Sequence, residues 1–268
     1  MVNLKNYALV DDFSHHKEEF SRTYEIIRQH TILENKMTLN LCSGTGLHTG
    51  FLVRNGAKVI GVDLLDYETL WGGNFKEKLL EIFQNNEEPF DGSKCQFIHM
   101  NAENLLFKDE LFDFVYCVNA FEHIQDPSKS LLEIWRVLKP GGFAFIQFDP
   151  LYYCDTGSHM FDFVPEPWGH LIYSKDEYIQ KLRLANCPEE MINDFKSGLN
   201  RKRRNYFIKL FALMTDKKLK VFEKKVSYEW SGVVNPEHLH HKNFVDLQKM
   251  YSKEDLLFRG MNVLLKKV

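Results

Sequence analysis

The sequence predicts an α/β fold built on a doubly wound, mostly parallel sheet. Three observations predict it. Short apolar runs of buried-strand length recur through residues 37–148. Helix-length segments alternate with them across short connections, the pattern of βαβ units and parallel pairing. The first run leads into Ser43-Gly44-Thr45-Gly46, a glycine turn between a strand and a helix. Right-handed crossovers then put helices on both faces.

The elements follow in order. Residues 14–34 read as an amphipathic helix, with Phe20, Tyr24, Ile27 and Ile32 at roughly helical spacing. Residues 37–42 are a buried strand, and a helix should run from the glycine turn to about Arg54. Residues 58–63 form a second strand ending in Asp63, 96–100 a third and 112–118 a fourth. A helix over 127–138 stops at Leu138-Lys139-Pro140-Gly141-Gly142. Residues 143–148 are the fifth strand, 219–230 a sixth and 259–267 a terminal one. The chain reads as one domain over 1–268. It has an N-terminal helical segment (1–36), a nucleotide-type core (37–150), a loop and helical cap insertion (149–218) and C-terminal strands (219–268).

Composition narrows the function. Lys and Arg number 34 against 37 Asp and Glu, a net charge of -3, which argues against a dedicated nucleic-acid binder. The 44% hydrophobic share, with 22 Phe, supplies a sizeable core and excludes disorder, collagen and coiled coil. The five cysteines are odd in number and form no C-x-x-C, so free thiols in a reducing cytoplasm are expected. The first residues lack a signal-peptide core, and no run of about 18 apolar residues predicts a membrane span.

In such sheets ligands bind beyond the carboxyl ends of the strands. Ser43–Gly46, Asp63, Asn101–Glu103, Asn119–His123 and whatever follows Phe148 are therefore the candidate positions. Gly44 and Gly46 permit positive φ and a close ligand. Asp63 stands about 20 residues on, where a carboxylate takes ribose hydroxyls. NAD and S-adenosylmethionine both use this arrangement. The third glycine of a dinucleotide fingerprint is replaced by Thr49, which favours a ligand without a pyrophosphate.

Residues Leu39–Gly46, Val59–Asp63, Asn101–Leu105 with Phe112–Val115, Asn119–Ile124 and Leu138–Gly142 form an ordered set. Together they resemble the motifs of class I S-adenosylmethionine-dependent methyltransferases. The resemblance implies a Rossmann-like seven-stranded sheet with an antiparallel last strand. It implies S-adenosyl-L-methionine as methyl donor and S-adenosyl-L-homocysteine as product. Donor contacts would come from Asn40, Cys42, Ser43, Gly44, Thr45, Gly46, Asp63, Leu64, Asn101, Ala102, Glu103, Asn119 and Ala120. Asn40 and Asn101 stand where the family often has acids.

Methyl transfer is an in-line displacement in which proximity does much of the work. A hydroxyl acceptor also needs a base, and histidine is the usual one. The Tyr-, His- and Trp-rich loop over 149–171 leaves the sheet beside the expected methyl group. It resembles a loop of bacterial methyltransferases that modify surface polysaccharides or small metabolites. His159, His170 and His123 are the candidate bases. Tyr152, Tyr153, Trp168, Arg201 and Arg204 are the candidate acceptor contacts, the arginines for an anionic group. No metal is expected. A His159, Asp162 and His170 set lacks diagnostic spacing, and His238, His240 and His241 read as a solvated turn. The reading is O-methylation of a sugar, phosphorylated or phosphoramidate-type metabolite in polysaccharide biosynthesis. N-methylation, an NAD-dependent oxidoreductase and a non-catalytic donor-binding protein are the alternatives. Expected partners are a small acceptor, no nucleic acid and no membrane, in a monomer or homodimer.

Overall fold

The computed structural model describes residues 9–217, 221–231 and 235–268. The apolar runs fold as seven strands: β1 (Met37–Leu41), β2 (Lys58–Asp63), β3 (Cys95–His99), β4 (Phe112–Val118), β5 (Leu138–Phe148), β6 (Phe222–Ser231) and β7 (Phe258–Lys267). They join one sheet in the order β3-β2-β1-β4-β5-β7-β6. The pairings among the first five strands are parallel, and β7 runs antiparallel to both β5 and β6. The order reverses between β1 and β4, a crevice where ligands bind in such sheets.

The helices are α1 (Leu9–Ile27), α2 (Leu47–Arg54), α3 (Phe75–Asn85), α4 (Pro127–Val137), α5 (Gly169–Ile172), α6 (Lys175–Leu184), α7 (Glu189–Ser197), α8 (Arg204–Met214), α9 (Lys242–Leu247) and α10 (Lys253–Leu257). Strand side chains alternate between faces, which splits the core in two. Phe114, Tyr116 and Val118 pack with Phe20 of α1, Phe51 of α2 and Phe83 of α3. Val115 and Cys117 pack on the opposite face with Ile134 of α4 and Phe211 of α8.

Three expectations are corrected. The first helix spans 9–27 rather than 14–34. Beyond Ile27 its buried face would present Thr31 and Glu34, so there is nothing apolar to bury; Ile32 is 71% exposed. The region 149–218 is not all loop and cap. Phe207, Leu210, Phe211 and Met214 put α8 in the main core, as a covering helix of the sheet. The cap is α6 and α7, held by Tyr178, Leu182, Ile192 and Phe195 against Met160 and Val164 of the loop. The sixth strand begins at Phe222; residues 218–220 lie outside the described residues. Among the described residues no helix is long and apolar enough to cross a membrane.

Candidate functional site

A cavity of about 560 Å³ opens at the carboxyl ends of β1, β2 and β4. Asn40, Cys42, Ser43, Gly44, Thr45, Asp63, Leu64, Asn101, Ala102, Glu103, Asn119 and Ala120 all line it. Gly46 lies behind the wall. It starts α2 with φ +81°, and a side chain there would press on Phe75, Leu79 and Phe97. Its need is local packing, while Gly44 has open space around its missing Cβ.

The glycine turn is held from behind. The Asp63 carboxylate accepts from the Gly44 N–H at 2.9 Å and the Leu65 N–H at 3.1 Å. The Tyr67 hydroxyl donates to the Gly44 carbonyl at 2.9 Å and pairs with Ser43 Oγ at 2.8 Å. Burial pushes the Asp63 carboxyl above its ordinary value, and the backbone N–H groups of Gly44, Leu65 and Leu64 oppose that shift. Tyr67 was missed in the sequence because nothing marks a buried clamp four residues past a strand end. Thr49 accepts from Asn40 at 2.9 Å. Gly50, one position later, provides the close approach, since a Cβ there would meet the Phe83 ring.

Three non-glycine residues with positive φ surround this cavity: Cys42, Asn119 and His159. Such backbones cost on the order of 1 kcal/mol each and gather at functional sites. The lining carries Glu19, Asp63, Glu103, Glu190 and Asp194, and no Lys or Arg among the described residues. It is therefore an acidic cavity, suited to a cation.

The histidine candidates separate. His123 and His159 line the cavity with rings 5.1 Å apart and perpendicular. Nε2 of His159 sits 2.8 Å from the Pro150 carbonyl, so it carries the proton and leaves Nδ1 as an acceptor. Burial, then neighbouring His123, holds its pKa down to about 3. Burial also lowers His123, against the pull of Asp194 and Asp63. His170 is off the cavity: buried, it bonds the Tyr152 carbonyl at 2.6 Å, and burial takes it down to about 4.

The proposed acceptor contacts are placed elsewhere. Trp168 is wholly buried with Phe244, Leu247 and Leu256, and its Nε1 donates to the Leu256 carbonyl. Arg201 stacks on Tyr152 and donates to the Phe195 carbonyl at 2.9 Å. Arg203 stacks on both Tyr153 and Tyr251, and Arg204 on Phe258. None of Tyr152, Tyr153, Trp168, Arg201 and Arg204 lines the cavity. These guanidinium planes over aromatic rings pin the loop to α7 through Arg201, and the start of α8 to Tyr153, Tyr251 and β7 through Arg203 and Arg204. His238 is not in a solvated turn either, since its Nδ1 pairs with buried Asp155 at 2.8 Å. His16, Glu19 and His48 of α1 and α2, and Glu190, Met191 and Asp194 of α7, line the cavity unforeseen. They reach it only through tertiary packing.

Glu122 lies beneath His123, 2% exposed, with neither carboxylate oxygen hydrogen-bonded. Burial raises its pKa well above the ordinary value. Folding therefore favours its protonated form. Its stabilising share is full below the unfolded pKa near 4.5 and fades as pH rises toward the folded value. Glu122→Gln is expected to remove that pH dependence. In thermal unfolding the variant should match wild type at pH 5 and exceed it at pH 8, by roughly 1–3 kcal/mol. Equal differences at both pH values would show that Glu122 folds ionised.

A model of the methyltransferase domain family matches residues 39–146. S-adenosylmethionine is the cofactor of this domain family, and the acidic cavity with Asp63 at its β2 edge fits that cation. The chain is 34% identical over 104 residues to a demethylmenaquinone methyltransferase of Clavibacter sepedonicus, covering 39% of this chain and 37% of that one. It is 28% identical over 182 residues to a ubiquinone biosynthesis O-methyltransferase of Coxiella burnetii, covering 64% and 66%. These matches therefore span less than two thirds of either relative. Among solved structures, the PH0226 protein of Pyrococcus horikoshii OT3 superposes with a TM-score of 0.51 at 17% identity, over 94% of this chain and 91% of that. The [4+2]-cyclase SpnF superposes at 0.52 and 14% identity, over 92% and 80%. At such identities the likeness is one of fold, and a fold does not fix chemistry.

Proposed function

We propose that the protein transfers a methyl group from S-adenosylmethionine to a hydroxyl of a small-molecule acceptor. The observation that carries this is the convergence of twelve motif residues on one acidic cavity at the switch point of the sheet. When bound, S-adenosylmethionine supplies a methyl group already activated on a sulfonium. Asp63 would accept the ribose hydroxyls, and Ala102 and Glu103 would lie along the adenine. The Cys42–Thr45 turn would face the methionine part. The chain's remaining tasks are to align the acceptor and receive its proton. His123 and His159 line the cavity and are the candidates to receive it; burial keeps both unprotonated and, at a pKa of about 3, makes His159 a weak base.

Around these imidazoles the lining combines the apolar Ile124, Met160 and Met191 with the acids Glu190 and Asp194. Among the described residues no lysine or arginine is there to hold a phosphate or carboxylate. This supports an acceptor without a negative charge, such as an aromatic or quinol-type hydroxyl, in keeping with the name of the ubiquinone biosynthesis O-methyltransferase. A sugar of surface-polysaccharide chemistry keeps only the likeness of the 149–171 loop behind it, and a phosphorylated acceptor has lost Arg201 and Arg204.

Thermal unfolding with S-adenosylmethionine, S-adenosylhomocysteine and NAD tests the donor, since a ligand stabilises by mass action. The first two are expected to raise the midpoint and NAD to leave it. A shift with NAD alone would overturn the reading. Incubation with hydroxylated aromatics and sugars, read as a methylene mass gain, tests the acceptor. With a working acceptor, His159→Ala is expected to lower kcat by roughly 10²-fold or more, with donor affinity within about threefold. The acid limb of kcat/KM should lie below the ordinary histidine range, because burial lowers both imidazoles. Unchanged kcat in both His159→Ala and His123→Ala would mean the reaction has no histidine base.

A further inference from the structure

The cavity wall holds a second group of side chains with no part in the donor motifs. His16 and Glu19 come from one face of α1, and His48 from the first turn of α2. Nδ1 of His16 and Nε2 of His48 are 3.3 Å apart. Glu19 Oε2 lies 3.4 Å from that Nε2 and 3.9 Å from that Nδ1. Zinc bonds to nitrogen and oxygen are about 2.0–2.2 Å. Tetrahedral geometry then separates ligand atoms by about 3.3–3.6 Å, close to the spacing seen here.

Proton accounting shows that two of these atoms are lone pairs facing one point. Thr23 has one hydroxyl proton and donates it to the Phe20 carbonyl at 2.9 Å. The Tyr116 hydroxyl, 3.0 Å from Thr23 Oγ1, must therefore be the donor in that pair. Its oxygen is left to accept from His48 Nδ1–H at 3.3 Å. His48 is thereby fixed as the tautomer with a lone pair on Nε2. Glu19 Oε1 accepts from Asn119 Nδ2 at 2.8 Å and from Gln147 Nε2 at 3.4 Å. Glu19 Oε2, buried with a side chain only 9% exposed, has no hydrogen-bond partner. A carboxylate oxygen and an imidazole lone pair at 3.4 Å repel each other unless a positive centre lies near both, whether the Nδ1–H of His16, 3.3 Å from that Nε2, or a cation.

We propose that His16, Glu19 and His48 form a site for a divalent transition metal of the zinc type, with its fourth position open to the cavity. Two histidines and a carboxylate with one open position are a zinc-type ligand set. The outer contacts match how such ligands are held: His48 through Tyr116 and Thr23, Glu19 through Asn119 and Gln147. The open position would take water or an oxygen of a molecule in the cavity. Sequence alone gave no sign of it, because His16 and His48 lie 32 residues apart with no ligand-spacing motif.

The test is direct binding with the full chain, freed of any histidine tag and stripped by chelator. Zn2+ is titrated in competition with a chromophoric chelator, and Co2+ is titrated while watching for the intense visible bands of tetrahedral cobalt. One metal per chain is expected. His16→Ala, on a partly exposed helix position, and Glu19→Gln are expected to weaken binding more than tenfold, with thermal unfolding showing that each is folded. His159→Asn is expected to bind metal as wild type does. That variant separates this site from the second group in the cavity whose atoms approach one another, Glu122, His123 and His159. Wild-type protein that takes up neither metal would overturn the proposal. So would unaltered binding in folded His16→Ala and Glu19→Gln, or its loss in His159→Asn. S-adenosylmethionine binding is a separate readout, so failure here leaves the methyl-transfer reading untouched.

Discussion

Asp63→Ala is expected to weaken S-adenosylmethionine binding by roughly 30- to 1000-fold, measured by titration calorimetry. Two effects combine. The carboxylate would lose charge-assisted hydrogen bonds to the ribose hydroxyls, each worth about 1.5–3 kcal/mol. It would also release the Gly44 N–H, which it now holds at 2.9 Å, and so loosen the turn that faces the methionine part. Tyr67 still grips the Gly44 carbonyl, so the fold itself should lose only about 1 kcal/mol. Asp63→Asn, which keeps one acceptor oxygen, should fall between the two. Binding by a folded Asp63→Ala within threefold of wild type would remove Asp63 from the donor site.

Trp168→Ala is expected to cost about 3–5 kcal/mol of stability, the usual toll of emptying a buried aromatic site. The ring is fully buried, stacks on Phe244 at 5.1 Å and fills the small core that anchors α9 and α10. Removing the indole also strips the Leu256 carbonyl of its Nε1–H donor. For a chain of this size the midpoint of thermal unfolding should drop by on the order of 10 °C. Donor affinity of the folded fraction should hold, because Trp168 does not line the cavity. An unchanged midpoint with a raised KM for the acceptor would instead return Trp168 to the acceptor site.

These two residues mark which positions at the cavity a sequence reading can locate and which it cannot. Asp63 was legible because a βαβ unit brings the end of its second strand beside the first glycine turn. That relation is local and recurs wherever the unit forms. The same logic located Asn101–Glu103 and Asn119–Ala120, each at a strand end. Trp168 was misread because a loop rich in Tyr, His and Trp looks alike whether it lines a cavity or fills a core. Its burial depends on Phe244 and Leu256, some 80 residues further on. Arg201 and Arg204 failed for a similar reason. A basic run carries no information about the rings, such as Tyr152 and Phe258, that neutralise its reach by stacking on it.

The sequence by itself determined the parallel βαβ character of the donor half and the carboxyl-end location of the candidate site, and the resemblance of its ordered motifs pointed to the class of donor. Periodicity, glycine placement and the hand of the crossover are short-range properties, and they leave few alternatives. Only the tertiary structure decided which histidines meet the cavity and how the chain completes its walls. Burial against the Pro150 carbonyl keeps His159 at the cavity and turns its Nδ1 into an acceptor, while His170 is spent on the loop's own backbone. The packing of α1 against α2 alone brings His16, Glu19 and His48 to one point, since each is an unremarkable helix residue until the Phe20–Phe51 contact sets the helices together.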